Sequence, residues 1–114
     1  YDKLSRELML QAFLFNSNFN KALLLARELH QQDINNIIYA EVYFSIASDF
    51  NLSSELINSD IITKSNNPKI HKLFYESLLK LKDLNKDQLL MLVQKSIYKF
   101  PNDNFFKNIL LTIS

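Results

Sequence analysis

The sequence predicts an all-α chain of about seven helices, folded as helix–turn–helix hairpins that stack into a solenoid. Three observations carry this. Apolar residues recur with the 3.6-residue helical period, and no segment alternates strictly as a half-buried strand would. Asparagines punctuate the chain at even intervals: of 13, those at 18, 35, 51, 67, 85 and 102 are separated by 17, 16, 16, 18 and 17 residues. Asparagine favours turns and helix N-caps because its short amide competes for local backbone groups. Even spacing of caps implies elements of equal length, and two such elements make a unit of 33–34 residues, a period that signals stacked helical hairpins.

The elements follow in order. The first, about 2–16, contains the apolar run Ala12-Phe13-Leu14-Phe15. The second, 19–31, carries the stripe Phe19, Ala22, Leu23, Ala26 and Leu29. The third, 35–49, includes β-prone residues such as Ile37, Ile38 and Val42, yet its continuation through Phe44, Ile46 and Ala47 reads as a helix that is apolar almost all round, hence central. The fourth, 53–65, has a thinner stripe of Leu56, Ile57, Ile61 and Ile62, with Ser53 or Ser54 as its cap. The fifth, 68–82, starts at Asn67-Pro68, an N-cap followed by proline where its missing N–H costs nothing. The sixth, 86–100, starts at the capping-box-like Asn85-Lys86-Asp87-Gln88 and stops at Pro101. The seventh, 103–113, presents Phe105, Phe106, Ile109, Leu110 and Ile113. It should dock on the sixth helix and leave an apolar patch around Phe105 or Phe106 and Leu111.

Composition narrows function. The chain is one domain of 114 residues, 47% hydrophobic and 22% charged, which is globular usage. It has no glycine, so it has no Gly-rich phosphate loop. It has no cysteine, so disulfides, zinc–thiolate sites, iron–sulfur clusters and thiol nucleophiles are excluded. His30 and His71 lack a ligand-spaced neighbour and read as surface or helix-end residues. The carboxylates are scattered, as on solvated helix faces and caps. No catalytic motif occurs, so the chain reads as a non-enzyme with no cofactor. Its longest apolar runs are far below the ~20 residues of a membrane span. A cytoplasmic location is favoured over a periplasmic one, and the start at Tyr1 reads as a fragment of a longer protein.

The hairpin pattern resembles the tetratricopeptide repeat. Phe19-Asn20-Lys21-Ala22-Leu23 followed by Ala26 is similar to the aromatic opening of that family's second helix. Leu89, Val93, Ser96 and Phe100-Pro101-Asn102-Asp103 are similar to a second helix ending in a proline turn. Ala40, Phe44 and Ala47 resemble the packing of a first helix. The resemblance implies a right-handed α-solenoid with repeats at about 1–34, 35–67 and 68–101 and a closing helix over 102–114. The repeats are degenerate: the family's small first-helix residue is replaced by Ser77 in the third unit, and proline is missing at Asp33-Ile34-Asn35. Ankyrin repeats share the period, but their T-P-L-H signature is lacking. Helical-hairpin relatives that bind RNA share the period as well.

The resemblance implies a protein-interaction scaffold whose first helices line a concave surface for a peptide or partner helix. Candidate contacts are Arg6, Gln11, Asn36, Tyr39, Tyr43, Lys72, Tyr75 and Lys80. Tyr39 and Tyr43 lie one turn apart and would share a face as interface anchors; packing between helices is the equal alternative, and burial of both would remove the site. Two other readings stand beside it. Residues 1–63 carry a net charge of −4 and residues 64–114 a net of +5. Lysines interleaved with Tyr75 and Tyr98 could bind single-stranded RNA, although both arginines, Arg6 and Arg27, lie in the acidic half. The apolar last helix could serve self-association or a continuing array.

Overall fold

The computed structural model describes residues 2–113. Among them the chain forms eight helical segments and no strand: α1 (Lys3–Phe15), α2 (Phe19–Gln32), α3 (Ile37–Asp49), α4 (Ser53–Ile57), α5 (Ile61–Lys64), α6 (Pro68–Leu78), α7 (Lys86–Lys99) and α8 (Asn104–Ile113). The all-helical class is as expected. Six of the expected helices appear as single elements, and the fourth is broken in two.

Of the asparagines the sequence marks, Asn67 and Asn85 cap with their side chains; Asn36 caps α3 in place of Asn35, and Asn18 precedes α2 without a side-chain cap bond. The side chain of Asn36 accepts from the backbone N–H of Tyr39 at 3.1 Å, that of Asn67 from Lys69 at 3.0 Å and that of Asn85 from Gln88 at 3.1 Å. The starts of α3, α6 and α7 are thereby fixed. Pro68 occupies the first turn of α6. At α4 neither Ser53 nor Ser54 caps; Leu52 precedes the helix without a side-chain bond.

Helix ends had to be built without glycine. Ser17 and Asn51 take the left-handed conformation, with φ of 58° and 56°. After α1, the N–H of Asn18 donates to Phe13 O and that of Ser17 to Leu14 O. After α3, Leu52 donates to Ala47 O and Asn51 to Ser48 O. Both are the paired bonds of a Schellman end, which normally uses glycine at the left-handed position.

The expected fourth helix over 53–65 breaks between Ile57 and Ile61. Asp60 is left-handed, with φ 57°, and the hydroxyl of Ser59 donates back to Leu56 O. Asn58-Ser59-Asp60 is a run of residues whose side chains compete for local backbone groups, so the helix yields there. α6 also ends earlier than expected, at Leu78, in a tightened turn. The loop beyond it is held by Asn51 Oδ1, which accepts from the N–H of Lys82 at 3.1 Å.

Packing proceeds largely in chain order. α1 lies on α2, α2 on α3, α3 on α6 and α7 on α8, while α4 touches α3 and α6 and α5 touches α7. The body measures 41 × 27 × 18 Å. Close approach occurs at Ala22, Ala26, Ala40, Ala47 and Ser96, all fully buried, because only short side chains let helix axes come near. Rings then link α3 to α8: Phe44 to Phe74 at 5.8 Å between centroids, Phe74 to Tyr75 at 5.4 Å and Tyr75 to Phe106 at 5.9 Å. α8 docks as expected. Of the patch expected on it, Phe106 is buried and Phe105 half-buried, while Leu111 is 76% exposed.

Both histidines are interior residues, contrary to the expectation of surface positions. His71 is the centre of a buried chain of hydrogen bonds. Its Nε2 lies 2.7 Å from Ser65 O and its Nδ1 2.8 Å from Ser96 Oγ, which lies 2.6 Å from Tyr75 Oη. A carbonyl only accepts, so Nε2–H donates to Ser65; Nδ1 then accepts from Ser96, and Tyr75 donates to Ser96. Burial lowers the His71 pKa, so the neutral ring persists.

Candidate partner-binding groove

Three helices supply one face. On α3, Ile38, Glu41, Val42, Ser45 and Asp49 recur every three to four residues and fall on one side. On α6 the same spacing aligns Leu73, Glu76 and Ser77, with Lys80 just beyond the helix end, and on α1 it aligns Glu7, Gln11 and Leu14. Two clefts form between these stripes. One, of about 240 Å³, lies between α1 and α3 and is lined by Lys3, Glu7, Gln11, Asn36, Ile38 and Tyr39 among others. The second, of about 530 Å³, lies between α3 and α6 and is lined by Glu41, Ile46, Asp49, Leu73, Glu76 and Lys80 among others. Leu14 and Val42 line both, so the clefts meet and run across all three helices.

The groove has an apolar floor and polar walls. Leu14, Val42, Ile46 and Leu73 are buried or half-buried within it, whereas Ile38 is 68% exposed at one rim. Glu41, Asp49 and Glu76 make no ion pair with a described residue. Lys80 is equally without one, and Lys3 is held by Asp33 at 3.7 Å.

The candidate contacts read from the sequence separate into two groups. Gln11, Asn36 and Lys80 line the groove. The tyrosines do not offer themselves to a partner: Tyr39 is 6%, Tyr43 1% and Tyr75 0% exposed. Burial of the first two removes them as exposed anchors, and packing between helices is what they do. The Tyr39 hydroxyl donates to Glu7 while its ring lines the cleft wall. Tyr43 turns to the opposite side and donates to Glu55 at 2.5 Å, and Tyr75 belongs to the His71 chain. Arg6 is held by Glu28 at 2.9 Å and Lys72 by Asp103 at 2.8 Å. Leu14, Ile38, Glu41, Val42, Ser45, Asp49, Leu73 and Glu76 were missed. Their signal was a second stripe on the third and fifth expected helices, offset from the core stripe and mixing apolar with acidic residues.

A separate polar cluster sits between α2, α3 and α4. Arg27 Nε donates to Glu55 Oε1 at 2.5 Å, the same oxygen that receives Tyr43. Burial alone would raise the Glu55 pKa, but the Arg27 guanidinium and the Tyr43 hydroxyl hold it below the ordinary carboxylate range. Burial, and then the neighbouring Glu55, raise the Tyr43 pKa. Beside it, His30 lies buried against the Tyr43 ring at 5.5 Å and the Phe44 ring at 5.4 Å. Neither of its ring nitrogens has a hydrogen-bond partner, and burial lowers its pKa to about 4.

No group of three or more His, Cys, Asp or Glu among the described residues could hold a metal ion, and none of the described helices is long and apolar enough to cross a membrane. Compared with family models, curated proteins and solved structures, the chain finds no match.

Proposed function

We propose that the chain is a non-catalytic protein-interaction module of the tetratricopeptide-like helical-repeat kind, which takes a peptide or a partner helix in the groove across α1, α3 and α6. One observation supports the reading: two clefts joined at Leu14 and Val42 run over α1, α3 and α6, which would be the first helices of the three expected units, with an apolar floor and unpaired charges on the walls. A packed core does not require that face to stay open. An amphipathic helix laid into such a groove is a recurring recognition mode. The 33–34-residue period supports the repeat assignment.

The test is selection of peptides from a display library on the folded chain, repeated on Val42→Arg. Val42 sits where the clefts meet and is half-buried against the core, so arginine there blocks both clefts, and an unchanged helical circular-dichroism spectrum and melting temperature are required of the variant before it is compared. Peptides retained by the native chain and lost on Val42→Arg are the expected result. Peptides held equally by both proteins would refute the groove.

The RNA reading loses one of its two stacking rings, because Tyr75 is buried, and Lys99 is pinned to Thr63 O, Ser65 O and Asn66. Self-association through the last helix keeps one support, the exposed Leu111 on α8; a separate exposed apolar side lies on α1 at Leu4, Leu8 and Phe15.

A further inference from the structure

The groove carries a charge pattern that specifies its occupant more narrowly than its shape does. Glu41 and Asp49 stand on the groove side of α3, eight residues apart, which is about 12 Å along the helix axis at 1.5 Å per residue. Glu76 faces them from α6. None of the three is neutralised within the chain, and Lys80 is the one unpaired cation among the described lining residues. Between the carboxylates the floor is apolar, at Val42, Ile46 and Leu73. The opposite polarity is found elsewhere: the α5/α7 face presents Lys95 beside Met91 and Tyr98, with Lys99 at its edge held by Thr63 O, Ser65 O and Asn66 Oδ1. A partner is therefore sorted by sign. An acidic segment is repelled from the groove and attracted to α7, and a basic one the reverse.

We infer that the occupant of the groove is a basic amphipathic helix, with an apolar stripe and two Lys or Arg residues about two turns apart that reach Glu41 and Asp49. This rests on the groove reading above and deepens it. Two turns of the partner match the spacing on α3, because residues i and i+7 of any α-helix are separated by about 10.5 Å. The apolar residues at i+3 and i+4 then face Val42 and Ile46. Glu76 stands on the far wall to meet a third cation. Pairs at a groove rim act mainly on specificity and encounter rate, and they weaken as salt rises.

The test uses three fluorescein-labelled 16-residue peptides that share one apolar stripe and a lactam staple. They differ only at positions i and i+7, which are both Lys, both Gln or both Glu. Fluorescence anisotropy against the native chain at low salt should rank them Lys, Gln, Glu, with at least tenfold between the first and last. The gap should shrink severalfold between 50 and 300 mM salt. On the double variant Glu41→Lys/Asp49→Lys the order should reverse; both sites are exposed, and an unchanged melting temperature confirms that this variant folds. Three peptides binding within twofold of each other, or an order that survives the reversal, overturns the inference. So does failure of the Lys peptide while library-selected peptides still bind. In all these cases peptides lost on Val42→Arg leave the groove reading standing. If no peptide depends on Val42, the groove itself falls, and the occupant with it.

Discussion

His30 takes two ring nitrogens into the interior and pairs neither. Such a group is tolerable only while neutral, and burial holds its pKa at about 4, against an ordinary value near 6.5. Asp33 is the nearby group that opposes this shift. The sign of the linkage follows. Between pH 6.5 and 4 the unfolded chain binds the proton and the folded chain does not, so stability is fully present above pH 6.5 and is lost as pH falls toward 4. The full loss from this residue should be roughly 3 kcal/mol. His30→Phe keeps the ring stack and removes the titration. Denaturant melts at pH 7 and pH 4.5 should therefore differ less for the variant than for the native chain; an equal difference would assign the acid sensitivity elsewhere. Ser96 is the opposite case, a small residue whose hydroxyl is essential. Ser96→Ala leaves His71 Nδ1 and the Tyr75 hydroxyl buried and unpaired, so about 2–3 kcal/mol should be lost in urea melts. A cost under 0.5 kcal/mol would mean that the chain of bonds contributes little. Neither role was legible beforehand. In the sequence Ser96 stands only as one position of a helical stripe, and its hydrogen bonds depend on residues 21 and 25 positions away. His30 looked like a helix-end cation because its position in the last turn of α2 is polar in local pattern, while α3 covers it from outside that pattern.

At the scale of elements the sequence was most informative where the chemistry is local. Asn67-Pro68 and Asn85 set the starts of α6 and α7 through bonds spanning two or three residues, and Pro101 ends α7. The stripes of α2 and α8 then placed part of the core, at Ala22, Ala26, Leu29, Phe106 and Ile109. The break within the fourth expected helix was not foreseen, since Leu56, Ile57, Ile61 and Ile62 fit a helical stripe on both sides of it. In fact Leu56, Ile61 and Ile62 are buried, so the core accepts two short segments as readily as one helix, and Asn58-Ser59-Asp60 decides between them. The glycine-free ends carry a removable cost. Ser17 is exposed, left-handed and makes no side-chain hydrogen bond, and an L-residue there costs about 1–2 kcal/mol relative to a right-handed conformation. Part of that is returned as unfolded-state entropy when glycine replaces it. Ser17→Gly should stabilise by roughly 0.5–1 kcal/mol, and differential scanning calorimetry should show the melting temperature rise by several degrees. A fall would show that the Schellman end of α1 tolerates serine without strain.

For the molecule as a whole, the charge difference between the halves and the order of packing have one consequence. Residues 1–63 are net −4 and residues 64–114 net +5, and helices that pack largely in chain order keep those signs apart. The acidic groove draws Glu41 and Asp49 from α3, and Glu76 joins them from α6; the basic face lies on α5 and α7. The sequence showed the asymmetry but not the groove: α3 is so rich in apolar residues that they do not single out one side, and only the spacing of Glu41, Ser45 and Asp49 marks the groove face. Tyr39 and Tyr43 lie one turn apart and read as anchors, but both are buried: Tyr43 turns to the opposite side, and Tyr39 contributes only to the cleft wall. The central claim is that the face across α1, α3 and α6 receives the partner. Amide chemical-shift mapping of the isotope-labelled chain with a library-selected peptide tests it most directly. The account predicts shifts concentrated at Leu14, Ile38, Val42, Ser45, Asp49, Leu73 and Lys80, with little change along α7. Shifts centred on Met91, Lys95 and Tyr98, with the α3 signals unmoved, would contradict it.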